Sequence, residues 1–187
     1  MSEGIPPYAN EIHSLIEQLS EEAKRQEILD LEPKEGKNKV KALVFCDAGK
    51  NRSLMIADQL KKRGYEANNY GTGNSNPFEP SAIENSGFQV IVFADETVEE
   101  NFYKILEATG HTESPLLKLP TRTLDIKESN GIRGYRNSTN PFNKQKEVEK
   151  VVGETNQKLE NLGFVNKNAE KIESLVNEME LEEREYA

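Results

Sequence analysis

Two short and almost wholly apolar runs, VKALVFC (40–46) and FQVIVFA (88–94), each lead through a few polar residues into a stretch with helical spacing. Runs that are apolar on successive residues, rather than on alternate ones, suit strands buried on both faces. The first is followed by SLMIADQLKKRG (53–64), with Gly64 as its stop signal, and the second by DETVEENFYKILEATG (95–110), with Asp95 as a ready N-cap. YEANNYGTG (65–73) reads as a further strand ending in a glycine turn, and PLLKLP (115–120) as a weaker fourth. Strands alternating with helices predict an α/β fold: a four-stranded parallel sheet flanked by helices. Ligands of such sheets bind beyond the carboxyl ends of the strands.

The remaining segments frame that unit. Residues 8–30 place Ile12, Leu15, Ile16, Leu19 and Ala23 on one helical face, and EPKEGKNK (32–39) reads as a linker. Residues 74–87 read as a loop with one helical turn. TRTLDIKESNGIRGYRNSTNP (121–141) is long, polar and irregular, as functional loops often are. A helix is predicted over 143–162 with Val148, Val151, Val152, Leu159 and Leu162 inward. The tail from 167 repeats that pattern with Ile172, Leu175, Val176 and Met179. The organisation expected is a helical extension over 1–38, an α/β domain over 39–164 and a helical tail over 165–187.

Composition narrows the function. With 35% hydrophobic and 30% charged residues among 187, the chain suits one globular domain with polar helices. No apolar run approaches membrane-spanning length, and the N-terminus lacks the basic and apolar regions of a signal peptide. A single cysteine permits no internal disulfide, which points to an intracellular, cytoplasmic protein. With two histidines it also leaves no cysteine-rich metal site, so neither metal nor cofactor is expected. A formal net charge of -9 argues against general nucleic-acid binding but allows a locally positive phosphate pocket.

That single cysteine, Cys46, stands at the end of the first apolar run, in CDAGKNRS. If Cys46 ends a strand and Ser53 opens a helix, Asp47, Ala48, Gly49, Lys50 and Asn51 must curl between them. Curled main-chain N–H groups at a helix N-terminus cradle anions. Gly49 supplies backbone freedom, and Arg52 adds a planar fork for two phosphoryl oxygens. The same field favours the ionised form of a sulfur, making Cys46 a nucleophile aimed at a bound phosphate. The Ser53 hydroxyl is placed to donate to that sulfur, and Asn51 to brace the loop. The plainer alternative is a packing cysteine, since free cysteine is among the most buried residue types.

CDAGKNRS resembles the Cys-x5-Arg-Ser loop of the low-molecular-weight protein tyrosine phosphatase superfamily. MIADQLKKRGYEANNYGTG is similar to that superfamily's first helix and second strand, and FQVIVFADETVEENFYKIL to its third strand and following helix. NRS and KKRGYEANNYGTGN look closest to the branch of phosphatases acting on the RNA polymerase II carboxy-terminal domain. The resemblance covers roughly residues 40–162.

It implies a cysteine-dependent phosphatase acting on a phosphorylated protein or peptide through a phosphocysteine, nuclear if the polymerase branch is the right one. Cys46 attacks phosphorus, Arg52 holds the transferring group, and a carboxyl group protonates the leaving oxygen and then activates water. The acid falls in the loop after the fourth strand, where Asp125 is the first candidate. Glu128 stands where the polymerase branch has a second aspartate. The chain departs from the pattern in three places: Ile126 stands where most of the superfamily has proline, Asp47 directly follows the nucleophile, and residues 74–87 are shorter. Asp95, Arg122, Arg133, Arg136 and Tyr135 are secondary candidates for the site or its rim. Two other readings remain. One is a phosphocarrier like the IIB component of sugar phosphotransferase systems, whose loop usually lacks the arginine. The other is a non-catalytic phosphopeptide-binding module. Arsenate reductases of this fold need further cysteines, which are absent.

Overall fold

The structure is a computed structural model that describes residues 7–34, 39–73, 78–136 and 145–168, with side chains from residue 14 onward. Its centre is a four-stranded, all-parallel sheet in the order β2-β1-β3-β4, built from β1 (Lys41–Cys46), β2 (Glu66–Gly71), β3 (Val90–Phe93) and β4 (Thr121–Thr123). Around it lie α1 (Pro7–Leu29), α2 (Arg52–Lys62), α3 (Pro80–Ile83), α4 (Glu96–Ala108), α5 (Asn130–Arg136) and α6 (Gln145–Asn161). The α/β fold class expected from the alternation of runs is the one observed.

Strand β1 explains the sheet's position. Its side chains alternate between two cores, and both faces are covered. Ala42, Val44 and Cys46 join Met55, Ile56, Leu60, Leu159 and Phe164 on the side of α2 and α6. Leu43 and Phe45 join Phe78, Ile91, Phe93, Phe102 and Leu106 on the side of α4. From β1 the chain runs out to β2 on one side, then crosses back past β1 to β3 on the other. This makes the carboxyl end of β1 the switch point where parallel sheets open a crevice.

Three expectations need correction. PLLKLP is not the fourth strand: Pro115–Lys118 forms a 3-10 turn, opened by Ser114, whose Oγ accepts from the Leu116 N–H. The proline has no N–H to donate to a ladder, and the strand forms three residues later, at Thr121–Thr123, where β-branched residues flank Arg122. The stretch 121–141 is accordingly less irregular than its composition suggests, holding β4 and α5. The apolar stripe of α1 is not a buried face among the described residues: Leu15, Ile16 and Leu19 are 57%, 59% and 70% exposed, and only the last turns dock, through Ile28. Gly163 explains the docking, because a Cβ there would lie 2.5 Å from the Arg25 carbonyl oxygen.

The single helical turn in 74–87 is α3, and Gly64 follows α2 with φ 94. Of the inward face expected for α6, Leu159 is fully buried and Val151, Val152 and Leu162 pack partly buried against the core, while Val148 is half-buried and not part of that core. Thr155 adds to it by donating its hydroxyl to the Val151 carbonyl at 2.7 Å. The side chain of Ile12, parts of the 32–39, 74–87 and 121–141 segments, and the tail face of Ile172, Leu175, Val176 and Met179 lie outside the described residues. Among the described residues no helix is long and apolar enough to cross a membrane.

Candidate active site

Cys46 is the last residue of β1, and its main chain is fixed from both sides. On the β2 side the ladder continues past the strand: Thr72 N–H donates to the Cys46 carbonyl at 3.1 Å and Gly73 N–H to the Asp47 carbonyl at 2.8 Å. On the β3 side Ala94 N–H donates to the Phe45 carbonyl at 2.9 Å. Beyond Cys46 the chain curls. Gly49 takes a left-handed conformation, φ 63, that a side chain would resist, and its carbonyl accepts the Asn69 amide at 2.8 Å. Asn51 precedes α2 without capping it through its side chain, so the first-turn N–H groups get no partner from that residue.

The sulfur of Cys46 is 3.1 Å from the Ser53 hydroxyl, a fully buried group on the first turn of α2. Cys46 is only 2% exposed, yet it lines a cavity of about 290 Å³ with Asp47, Ala48, Asn51, Arg52, Glu128 and Arg133. The sulfur therefore belongs both to the core and to a cleft. Of the other loop residues, Gly49 and Ser53 are buried behind the cavity, and Lys50 points to solvent. Asp47 is exposed as well.

The Arg52 side chain is 12% exposed. Its Nη1 pairs with the Asp95 carboxylate and donates to the Ile126 carbonyl at 2.9 Å, while its Nε lies 3.8 Å from Glu128. Asp95 has two tasks: its other oxygen accepts from Val98 N–H at 3.0 Å, capping α4 as expected. Beyond β4 the chain stays beside β3 but slips by one residue at Asp125: Leu124 N–H donates to the Phe93 carbonyl and Ile126 N–H to the Ala94 carbonyl. That extension carries residues 125–128 across the mouth of the loop. Glu128 lines the Cys46 cavity and accepts from Asn51 and from Arg133 Nε, each at 3.4 Å. Asp125 does not line that cavity. It lines the adjoining one, of about 480 Å³, with Arg52, Asp95, Glu96, Thr97, Lys127 and Glu128.

The other candidates scatter. Arg133 is on the cavity wall, as expected of a rim residue. Arg122 is not on the rim: it is buried against α1, donating to the Lys24 carbonyl and to Glu27 at 2.7 Å. Tyr135 turns away from the entrance and donates to Asp58 at 3.1 Å. Its burial, and next the Asp58 charge, raises its hydroxyl above the ordinary tyrosine pKa. Arg136 is exposed and lines neither cavity.

Residues not foreseen brace the loop. Asn69 lies in register with Val44, on the face that Ala67 and Gly71 share with Cys46. A polar amide at a position otherwise facing core is the signal that marks it. Gly73 has a steric reason: a Cβ there would lie 2.9 Å from both the Asp47 carbonyl and a carboxylate oxygen of Asp47. Among the described residues no group of three or more His, Cys, Asp or Glu side chains is placed to hold a metal ion. A scan of protein-family models finds no match to this chain, and no curated protein is significantly similar to it.

Proposed function

We propose that this protein is a cysteine-dependent phosphatase that hydrolyses phosphomonoesters of a phosphorylated protein or peptide through a phosphocysteine. One observation carries the reading: Cys46 and Arg52 line the same small cavity, at the junction of a strand and a helix N-terminus. A packing cysteine has no need of that company.

The chemistry follows from the parts. Loop amides, the α2 N-terminus and Arg52 hold the three non-bridging phosphoryl oxygens. The Cys46 thiolate attacks phosphorus; an S–P bond forms as the ester P–O bond breaks. The departing oxygen takes a proton from a carboxyl group, and we assign that role to Glu128, because it lines the Cys46 cavity and Asp125 does not. Water then attacks the phosphocysteine, giving its proton to the same carboxylate. The S–P bond breaks and inorganic phosphate leaves. The Ser53 hydroxyl, 3.1 Å from sulfur, stabilises the thiolate as it departs. The Asp95 pair anchors Nη1 of the Arg52 fork; the phosphoryl group takes Nη2 and competes with Glu128, 3.8 Å away, for Nε.

A non-catalytic phosphopeptide module is the second reading, supported by the position of Asp125 outside the Cys46 cavity. A IIB-like carrier is disfavoured by Arg52, whose fixed cation suits hydrolysis. Release of phosphate from an aryl phosphate separates them. The wild-type protein is expected to turn over, and Cys46→Ser to lose turnover by a factor of about 10⁴ or more. Activity that survives in Cys46→Ser overturns the mechanism. Inorganic phosphate binding by a wild-type protein that never turns over supports the module instead.

A further inference from the structure

Asp125 is the sole non-glycine residue with positive φ among the described residues, at 50°. Such a conformation presses Cβ against the main chain and persists only where the surroundings impose it. Two bonds impose it here. The Ile126 N–H donates to the Ala94 carbonyl at 2.7 Å, and the Asp125 carbonyl accepts the Lys158 ammonium at 2.7 Å. The peptide unit between residues 125 and 126 is thus clamped from opposite sides, by the end of β3 and by helix α6. The next carbonyl along, that of Ile126, receives Arg52 Nη1 at 2.9 Å. Two residues further, Glu128 enters the Cys46 cavity.

We propose that Lys158 is a positioning residue for the reaction: through the Asp125 carbonyl it sets the segment that orients both Arg52 and Glu128. The inference deepens the phosphatase reading and rests on it. The lysine touches neither sulfur nor phosphate. Its bond goes to the main chain, so it fixes a peptide plane. Without it, Asp125 is free to leave the left-handed region. The rotation of the 125–126 peptide that follows withdraws the Ile126 N–H from Ala94 and moves the Ile126 carbonyl off Arg52. Misplacement of catalytic groups by an ångström costs rate more than it costs binding, because the geometry matters most in the transition state.

The test compares wild type, Lys158→Met and Lys158→Arg in three measurements: aryl phosphate kinetics, affinity for inorganic phosphate, and amide hydrogen exchange at Leu124 and Ile126. In Lys158→Met, kcat is expected to fall about tenfold or more, while phosphate affinity falls by less. Exchange at Ile126 should quicken about tenfold, with that at Leu124, earlier in the same ladder, unchanged. Lys158→Arg, whose guanidinium can reach the same carbonyl, should restore kcat and Ile126 protection together. If the wild type turns over and Lys158→Met matches it in kcat, the inference falls and the phosphatase reading stands. It falls equally if kcat drops without a change at Ile126, which marks a general structural effect. If the wild type neither binds phosphate nor turns over, the phosphatase reading fails, and this inference fails with it.

Discussion

Two arginines, Arg52 half-buried and Arg122 buried, each pair with a carboxylate and each donate to main-chain carbonyl oxygen. They differ in what surrounds the rest of the guanidinium. Arg122 is 6% exposed, its Nε has no hydrogen-bond partner among the described residues, and its other donors end on Thr121, Lys24 and Glu27. It ties α1 to an edge strand. Arg52 is held at Nη1 by Asp95 and the Ile126 carbonyl, has Glu128 3.8 Å from its Nε, and lines a cavity together with Cys46. Burial and ion pairing therefore do not mark a functional arginine. What separates the two is that Arg52 lines a cavity with Cys46 and Arg122 does not.

Substitution can break that contrast. Arg52→Ala is expected to lower turnover by about 10³ and to weaken phosphate binding, because it removes the fixed cation from the transferring group. Arg122→Met should leave turnover per folded molecule unchanged and cost about 1–3 kcal/mol of stability, since Glu27 and the Lys24 carbonyl each lose a donor that ties α1 to β4. Aryl phosphate kinetics paired with urea denaturation read both. Equal losses of turnover would erase the distinction. Next in size is the acid. Glu128→Gln is expected to slow the first step about 100-fold in single-turnover kinetics, more for poor leaving groups than for good ones, and Asp125→Asn by less than about tenfold. The reverse order moves the acid to Asp125.

The same contrast explains which features could be read from the chain. The core of the sheet was legible because β1 and β3 are apolar on successive residues, and that pattern needs no knowledge of the partners. The loop was legible because Cys46, Gly49, Arg52 and Ser53 lie within eight residues, so strand and helix ends fix their mutual positions. Arg122 and Arg133 look alike in sequence, and only tertiary contacts send one to α1 and the other to the cavity. The fourth strand was misplaced because Leu116 and Leu119 supply apolar side chains while Pro115 and Pro120 cannot supply ladder donors. The stripe of α1 misleads differently: its spacing is helical, yet the docking of α1 is settled by Ile28 and Gly163, far along the chain. Asn69 and Lys158 each donate to a main-chain carbonyl distant in sequence; a polar amide on a core-facing strand position hints at the first, and no local pattern announces the second.

The smallest effects test whether the loop is braced from β2. Gly73 and Gly153 look equally replaceable in sequence. At Gly153, inside α6, an added Cβ meets nothing within 4 Å, so Gly153→Ala should stabilise by about 0.5–1 kcal/mol through reduced freedom of the unfolded chain and leave turnover alone. At Gly73 the added Cβ lies 2.9 Å from the Asp47 carbonyl, whose hydrogen bond to Gly73 N–H is 2.8 Å long. The two main chains cannot separate without loosening that bond, and Asp47 is the first residue after Cys46. Gly73→Ala should therefore lower phosphate affinity about three- to tenfold, with a stability cost of about 1 kcal/mol, as overpacking against main chain does. Phosphate titration and thermal melting of both variants decide the matter. If Gly73→Ala melts lower but binds phosphate as the wild type does, the turn after β2 supports the fold without setting the anion cradle, and the loop holds its shape from β1 and α2 alone.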